Sequence, residues 1–273
     1  MRFKSNINIL LILIITLFLT DSLLSQKTVL KRYMVIRNTP SYTLQFSLDY
    51  NQSILELSGA YNDDYQSVNV YNGETFGADK GYGITAISKI SLNNRGSLRF
   101  TQSLTYNRLL AYTFGGKDNV ADNGKSSYNC FTGGLGIEYN FTPGHKFKMF
   151  IAGELNASMI NGSMDIWFEN RTNPPPVTKS YEVNNSFRMG FGVMLGSEYM
   201  LSNNMGLNIG ARFINANVLF KQAEGTNADT EFPLRDVDSP GLDFAGNKNF
   251  AFYSILAGVN FYFGIKDKRY KLN

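Results

Sequence analysis

From Tyr42 onward, apolar and polar residues alternate in short runs. In the last run, Phe250–Phe263, residues Tyr253, Ile255, Ala257, Val259, Phe261 and Phe263 share one face. Ser254, Gly258, Asn260 and Gly264 share the other, with Leu256 and Tyr262 as its larger members. A period of two is that of a β-strand. The same rhythm predicts strands at Tyr42–Tyr50, Tyr82–Leu92, Leu98–Arg108, Tyr128–Phe141, Phe147–Met159, Phe187–Met200 and Met205–Asn215, eight in all. Their connections alternate in length. Asn93-Asn94-Arg95-Gly96, Thr142-Pro143-Gly144-His145 and Leu201-Ser202-Asn203-Asn204 are tight turns by composition. The polar stretches 51–80, 109–127, 160–184 and 220–248 are long loops, and Pro174-Pro175-Pro176 excludes a ladder strand from one of them.

This sorting matters more than any single strand. With eight strands, both termini and every tight turn fall on one side, and every long loop falls on the other. A closed antiparallel up-and-down barrel in a membrane has short periplasmic turns and long extracellular loops, whereas a soluble sandwich has no reason to sort its connections. Ile54–Tyr61 reads either as a bent extension of the first strand or as a further strand. In the second case Tyr33–Arg37 or Val68–Tyr71 must join it, giving ten strands.

Composition agrees with a spanning barrel. Ile9–Leu19 is apolar but for Thr16, follows Arg2 and Lys4, and is too short to span a bilayer as a helix. It reads as a signal peptide over residues 1–25, followed by a periplasmic segment 26–41, the barrel 42–264 and a periplasmic tail 265–273. Removal of 1–25 takes away two cations and one carboxylate from a formal +4, leaving +3. That balance, without a Lys/Arg run, does not point to nucleic acid. No apolar run after residue 25 has helix-spanning length, and only helices or closed barrels satisfy their backbone groups in lipid. One cysteine, Cys130, excludes a disulfide framework.

The outward faces carry aromatics near the strand ends: Phe100, Tyr139, Phe141, Phe147, Tyr199, Phe261 and Phe263 toward the periplasm, and Tyr82, Tyr106, Phe131, Phe187 and Tyr253 toward the outside. Rings favour the two interfaces of a bilayer. The segments Gly-Ala-Asp-Lys-Gly-Tyr-Gly (77–83), Gly-Leu-Gly-Ile-Glu-Tyr-Asn-Phe (134–141) and Leu-Ala-Gly-Val-Asn-Phe-Tyr-Phe-Gly (256–264) resemble the small outer-membrane β-barrel domains of Bacteroidota-type, Gram-negative bacteria. The resemblance spans about residues 40–264 and implies a porin-like fold at the cell surface, without an activity. It also implies outer-membrane lipids and the barrel-assembly machinery as partners. That machinery often reads a terminal aromatic strand residue; Phe263 holds the corresponding place, followed here by a basic tail.

Candidate chemistry is sparse. The single histidine, His145, sits in an expected periplasmic turn, away from the outer rim where the barrel enzymes that this chain resembles keep theirs. No catalytic residue, cofactor or metal site is expected. Asp63, Asp64, Asp236, Asp238 and Asp243 read as solvated loop charge, and Cys130 as a packed thiol without a base. The inward faces are more telling. They carry Lys89, Arg99, Glu138 and Glu198 near the periplasmic end, Glu154 and Arg212 at mid-depth, and Arg188 near the outer end, with Asn107, Asn140, Asn156, Asn208 and Asn260. An eight-stranded barrel is just wide enough for side chains to fill it, and buried charges must pair. These residues are therefore expected to form a salt-bridge network that plugs a monomeric, non-enzymatic barrel, leaving the extracellular loops to contact a ligand or protein. The other readings are a small gated channel or uptake barrel, an accessory barrel of a secretion or assembly machine, and a soluble lipocalin-like barrel.

Overall fold

The computed structural model describes residues 33–36, 39–57, 78–114, 122–168, 177–219, 231–232, 250–265 and 268–271. Eight long strands run in sequence: β1 (Tyr42–Ile54), β2 (Lys80–Ser91), β3 (Leu98–Phe114), β4 (Asp122–Asn140), β5 (Phe147–Phe168), β6 (Val177–Met200), β7 (Met205–Leu219) and β8 (Ala251–Phe263). Each pairs antiparallel with its chain neighbour, except that β7 and β8 are the last such pair and β8 returns to β1, closing the sheet. Following partners round from Tyr42 through Ile90, Phe100, Ile137, Gly153, Val193, Phe213 and Tyr253 returns to β1 at Gln52, ten residues higher. A stagger of that size in eight strands tilts them by about 40°. The eight strands close on one another, and near its start β6 also pairs in parallel, Glu182–Val183 with the two-residue strand Glu231–Phe232.

The chain folds as two compact units, and the barrel lies in the one spanning Arg37–Lys266. The other contains a short antiparallel pair, Tyr33–Ile36 with Lys268–Lys271. Tyr33–Arg37 therefore does not serve as an additional barrel strand. Ile54–Tyr61 does not form one either in the part described: β1 stops at Ile54, Leu55 takes a positive φ of 56°, and Leu55–Leu57 forms a 3-10 turn. Eight strands, not ten, make the barrel.

The tight turns form where their side chains replace missing ladder partners. Gly96 adopts φ 65°, its N–H donates to the Asn93 carbonyl at 3.0 Å, and Asn93 Oδ1 accepts from Ser97 N at 3.0 Å. Thr142 Oγ1 accepts from Met149 N and donates to the Phe147 carbonyl, both at 3.1 Å. Ser202 Oγ accepts from Asn204 N at 3.2 Å and Met205 N at 3.1 Å.

The barrel is inverted relative to a soluble protein. Leu48 and Leu155 are 73% and 72% exposed on its outside, while Lys89, Glu138 and Glu198 inside are at most 1% exposed. But for Phe46, the exposed middle is aliphatic: Leu48, Ile84, Leu104, Leu135, Val193, Leu195 and Ile255. Tyr139, Phe141, Tyr199, Phe261 and Phe263 ring its lower margin, and Tyr50, Tyr82, Tyr106, Phe131 and Tyr253 its upper one. About eight residues separate the two rings along a tilted strand, or roughly 20 Å of height at ~3.3 Å rise per residue. That approaches the apolar band of roughly 25 Å on transmembrane barrels, and this is a transmembrane barrel.

Above the upper ring, β3 to β6 continue well past their expected ends. Residues 109–114, 122–127, 160–168 and 177–186 are strand rather than loop. On β3 to β5 the parity of the faces is kept but their polarity reverses. Leu109, Tyr128, Ile160 and Met164 point inward and are wholly buried, while Arg108, Ser127, Asn129, Asn161 and Ser163 point outward. On β6 a bulge opposite Ile160–Gly162 shifts the inward face to Val183 and Tyr181. With Ile214, Ala216, Phe250, Phe252 and Leu57 these side chains form a conventional apolar core at the outer end. Once the strands leave lipid, water faces the outside, and the ordinary rule for side chains returns. The Asp and Pro positions that composition singled out, Asp63, Asp64, Pro174–Pro176, Asp236, Asp238 and Asp243, lie outside the described residues.

Candidate functional site

The lumen is built in layers. At the end that carries the tight turns, β2, β3, β4 and β6 each turn one charged side chain inward. Lys89 Nζ lies 2.7 Å from Glu138 and 2.6 Å from Glu198; Arg99 Nη1 lies 3.1 Å from Glu138 and 3.2 Å from Glu198. The four charges alternate, so each cation touches both carboxylates. Lys89 also stands 4.1 Å from the centre of the Phe150 ring. Beside them runs an amide chain: Asn260 Nδ2 donates to Tyr262 OH at 3.3 Å, Asn208 Nδ2 to Asn260 Oδ1 at 2.9 Å, and Ser47 Oγ to Asn208 Oδ1 at 2.9 Å.

Above lies a thin apolar layer of Ile87, Phe150, Ala152, Met194 and Leu256. The mid-depth pair follows. Arg212 Nε donates to Glu154 Oε1 at 3.0 Å, and its Nη2 closes a second, shorter contact to the same oxygen. Arg212 Nη1 also donates to Thr105 Oγ1 at 2.8 Å and Nη2 to Ser103 Oγ at 3.3 Å, while Ser103 donates to Glu154 Oε2 at 3.0 Å. Glycines make this pair fit. A Cβ at Gly192 would lie 2.6 Å from Glu154 Oε1, and one at Gly136 would lie 2.8 Å from Glu154 Cβ.

Arg188 lies in neither group. It is wholly buried nearer the outer end, and its Nε donates to Ser186 Oγ at 3.0 Å. The expected site thus divides into a quartet near the tight turns, a mid-depth pair and Arg188. Two inward charges escaped the sequence reading: Asp49 on β1, which accepts from Thr85, and Lys148 on β5. Both were available from parity. Asp49 alternates with outward Leu48 and Tyr50, and Lys148 precedes outward Met149.

Cys130 is wholly buried with its sulfur 3.4 Å from Thr132 Oγ1. His145 is exposed in the turn between β4 and β5. Among the described residues, no group of three His, Cys, Asp or Glu side chains is placed to hold a metal ion.

No family model and no curated protein matches the chain. Among solved structures it is similar to Neisserial surface protein A, at 16% identity, covering 82% of this chain and 97% of that one with a TM-score of 0.43. It is similar to the attachment invasion locus protein Ail of Yersinia pestis, at 11% identity, covering 84% and 99% with a TM-score of 0.35. It is also similar to the outer membrane protease OmpT of Escherichia coli, at 10% identity, covering 87% and 100% with a TM-score of 0.37. At these identities and scores the likenesses say nothing of this chain's ligands or activity.

Proposed function

We propose that this chain is a non-enzymatic integral barrel of a bacterial outer membrane, with a plugged lumen and a role in surface contact through its outer connections. The observation that carries the reading is the inversion of the surface: aliphatic side chains exposed around the middle, charges buried within, and polar outer faces returning above the upper aromatic ring. A soluble lipocalin-like barrel has the opposite arrangement. Ion-paired layers and the apolar core at the outer end favour a plug over an open path, because side chains from every strand meet inside so narrow a barrel. Residues 1–25 act as the export signal in this reading. The Gly/aromatic segments 77–83, 134–141 and 256–264 align it with Bacteroidota-type small barrels.

The first test is migration on a denaturing gel with and without boiling, after extraction in mild detergent. A closed barrel resists the detergent until heated, so the unboiled band should run differently. Release from membranes by salt alone, with no band shift, would overturn the membrane reading. Planar-bilayer recordings then test the plug: no discrete conductance is expected, and steady ion-selective channels would favour the gated path.

A further inference from the structure

The periplasmic layer of the lumen holds more positive than negative charge. Lys89, Arg99 and Lys148 face Glu138 and Glu198, and all five are at most 1% exposed. Lys89 and one nitrogen of Arg99 already engage both carboxylates. Lys148 engages neither; its Nζ stands 5.1 Å from the centre of the Tyr262 ring. Lys148 Nζ, Arg99 Nε and Nη2, and Asn140 Nδ2 have no hydrogen-bond partner among the described residues.

These groups come from adjacent strands at one level. Arg99 on β3 is opposite Glu138 on β4, Asn140 lies two residues below Glu138 on the same face, and its partner Phe150 on β5 is two residues from Lys148. All of them are donors. Glu138 Oε2 is matched by Lys89 at 2.7 Å, and the unmatched acceptor Gln45 Oε1 lies on β1. A buried ammonium without a counter-charge is costly, and a neutral molecule would leave the excess charge in place.

We infer that Lys148, Arg99 and Asn140 form a binding site for a small monovalent anion at the periplasmic mouth of the barrel. The anion completes the layer as the third negative charge, accepting from the Lys148 ammonium, the free edge of the Arg99 guanidinium and the Asn140 amide. Its place is inside the barrel wall, so the site does not depend on what the outer connections contact.

The probe is bromide. Crystals of the folded, detergent-solubilised protein soaked in sodium bromide should show an anomalous peak among these three side chains. In solution, broadening of the chloride NMR line by the folded protein should be reversed by added bromide. Lys148→Met should weaken halide binding by roughly tenfold or more, the loss of one charge-assisted hydrogen bond, and Lys148→Arg should retain it. Asn140→Ala, which alters no charge, should weaken binding less and serves if Lys148→Met does not reach the heat-modifiable state. An absent peak, a peak without chloride broadening in solution, or a folded Lys148→Met that binds halide as the parent does would each overturn the inference.

Discussion

Replacing Arg212 by methionine keeps most of the side chain's length and removes its charge. The guanidinium makes two contacts to Glu154 and one each to Thr105 and Ser103, and it is 2% exposed. Its loss leaves the Glu154 carboxylate at mid-depth with Ser103 as its remaining donor among the described residues. Breaking a buried pair from one side costs about 3–5 kcal/mol. Glu154 retains 12% side-chain exposure, which places the expected loss near the lower end, about 3 kcal/mol. Glu154→Met should cost a similar amount, because it strands the arginine instead. The double variant buries no charge at this level and should lie within about 1 kcal/mol of the parent, so the cycle should give a coupling of several kcal/mol. Urea unfolding of the barrel in lipid vesicles measures all four proteins. The fluorescence of Trp167, the only tryptophan, and the unboiled gel band serve as independent reports. If the single losses add to within about 0.5 kcal/mol in the double variant, the two side chains do not act as a buried pair, and the layered lumen is wrong at its centre.

Three further outcomes follow from the same geometry. Leu135→Arg, in the middle of the aliphatic belt and 58% exposed, should cost about 2–4 kcal/mol in vesicles, whereas Ser163→Arg above the upper ring should cost about 0–1 kcal/mol; equal small effects would remove the lipid belt. Gly192→Ala drives a Cβ to 2.6 Å from Glu154 Oε1 and should destabilise by roughly 1–3 kcal/mol. Gly153→Ala on the outer face, where nothing lies within 4 Å, should stay within about 0.5 kcal/mol in the same unfolding assay. Cys130 should resist maleimide in the unboiled protein and react after boiling, and rapid labelling without heat would contradict its complete burial.

How far the sequence could be read follows from where lipid lies. Between the aromatic rings, Leu104 must be oily and Ser103 need not be, so the alternation names both faces and places Lys89, Arg99, Glu138, Glu154, Glu198 and Arg212 inside. Above the rings the constraint changes sides. Asn161 and Ser163 face water while Ile160 and Met164 face the core, and the run from Asp122 to Ser127 loses the oily outer face that marks a membrane strand. The backbone ladder continues, but the pattern used to find it does not, so these strands read as loops. The bulge on β6 adds a second break, because one extra residue exchanges the faces below and above it. The pairing of inward charges was legible as a need. Which carboxylate meets which cation was not, since that depends on a ten-residue stagger that no single strand encodes.

The seam between β1 and β8 sets how this molecule comes to exist. Thirteen register pairs, from Ala251↔Ile54 to Phe263↔Tyr42, join segments some two hundred residues apart, whereas the other seven pairings among the eight long strands join chain neighbours. Neighbouring strands can pair while the chain is incomplete, but the seam waits for its final strand, and contacts of such long range form slowly. Until then two long edges stand unpaired, each a template for a foreign strand and neither tolerated in hydrocarbon. A chain cut before residue 251 lacks the strand that covers both edges, so it should leave β1 and β7 unpaired and fail to give the heat-modifiable band.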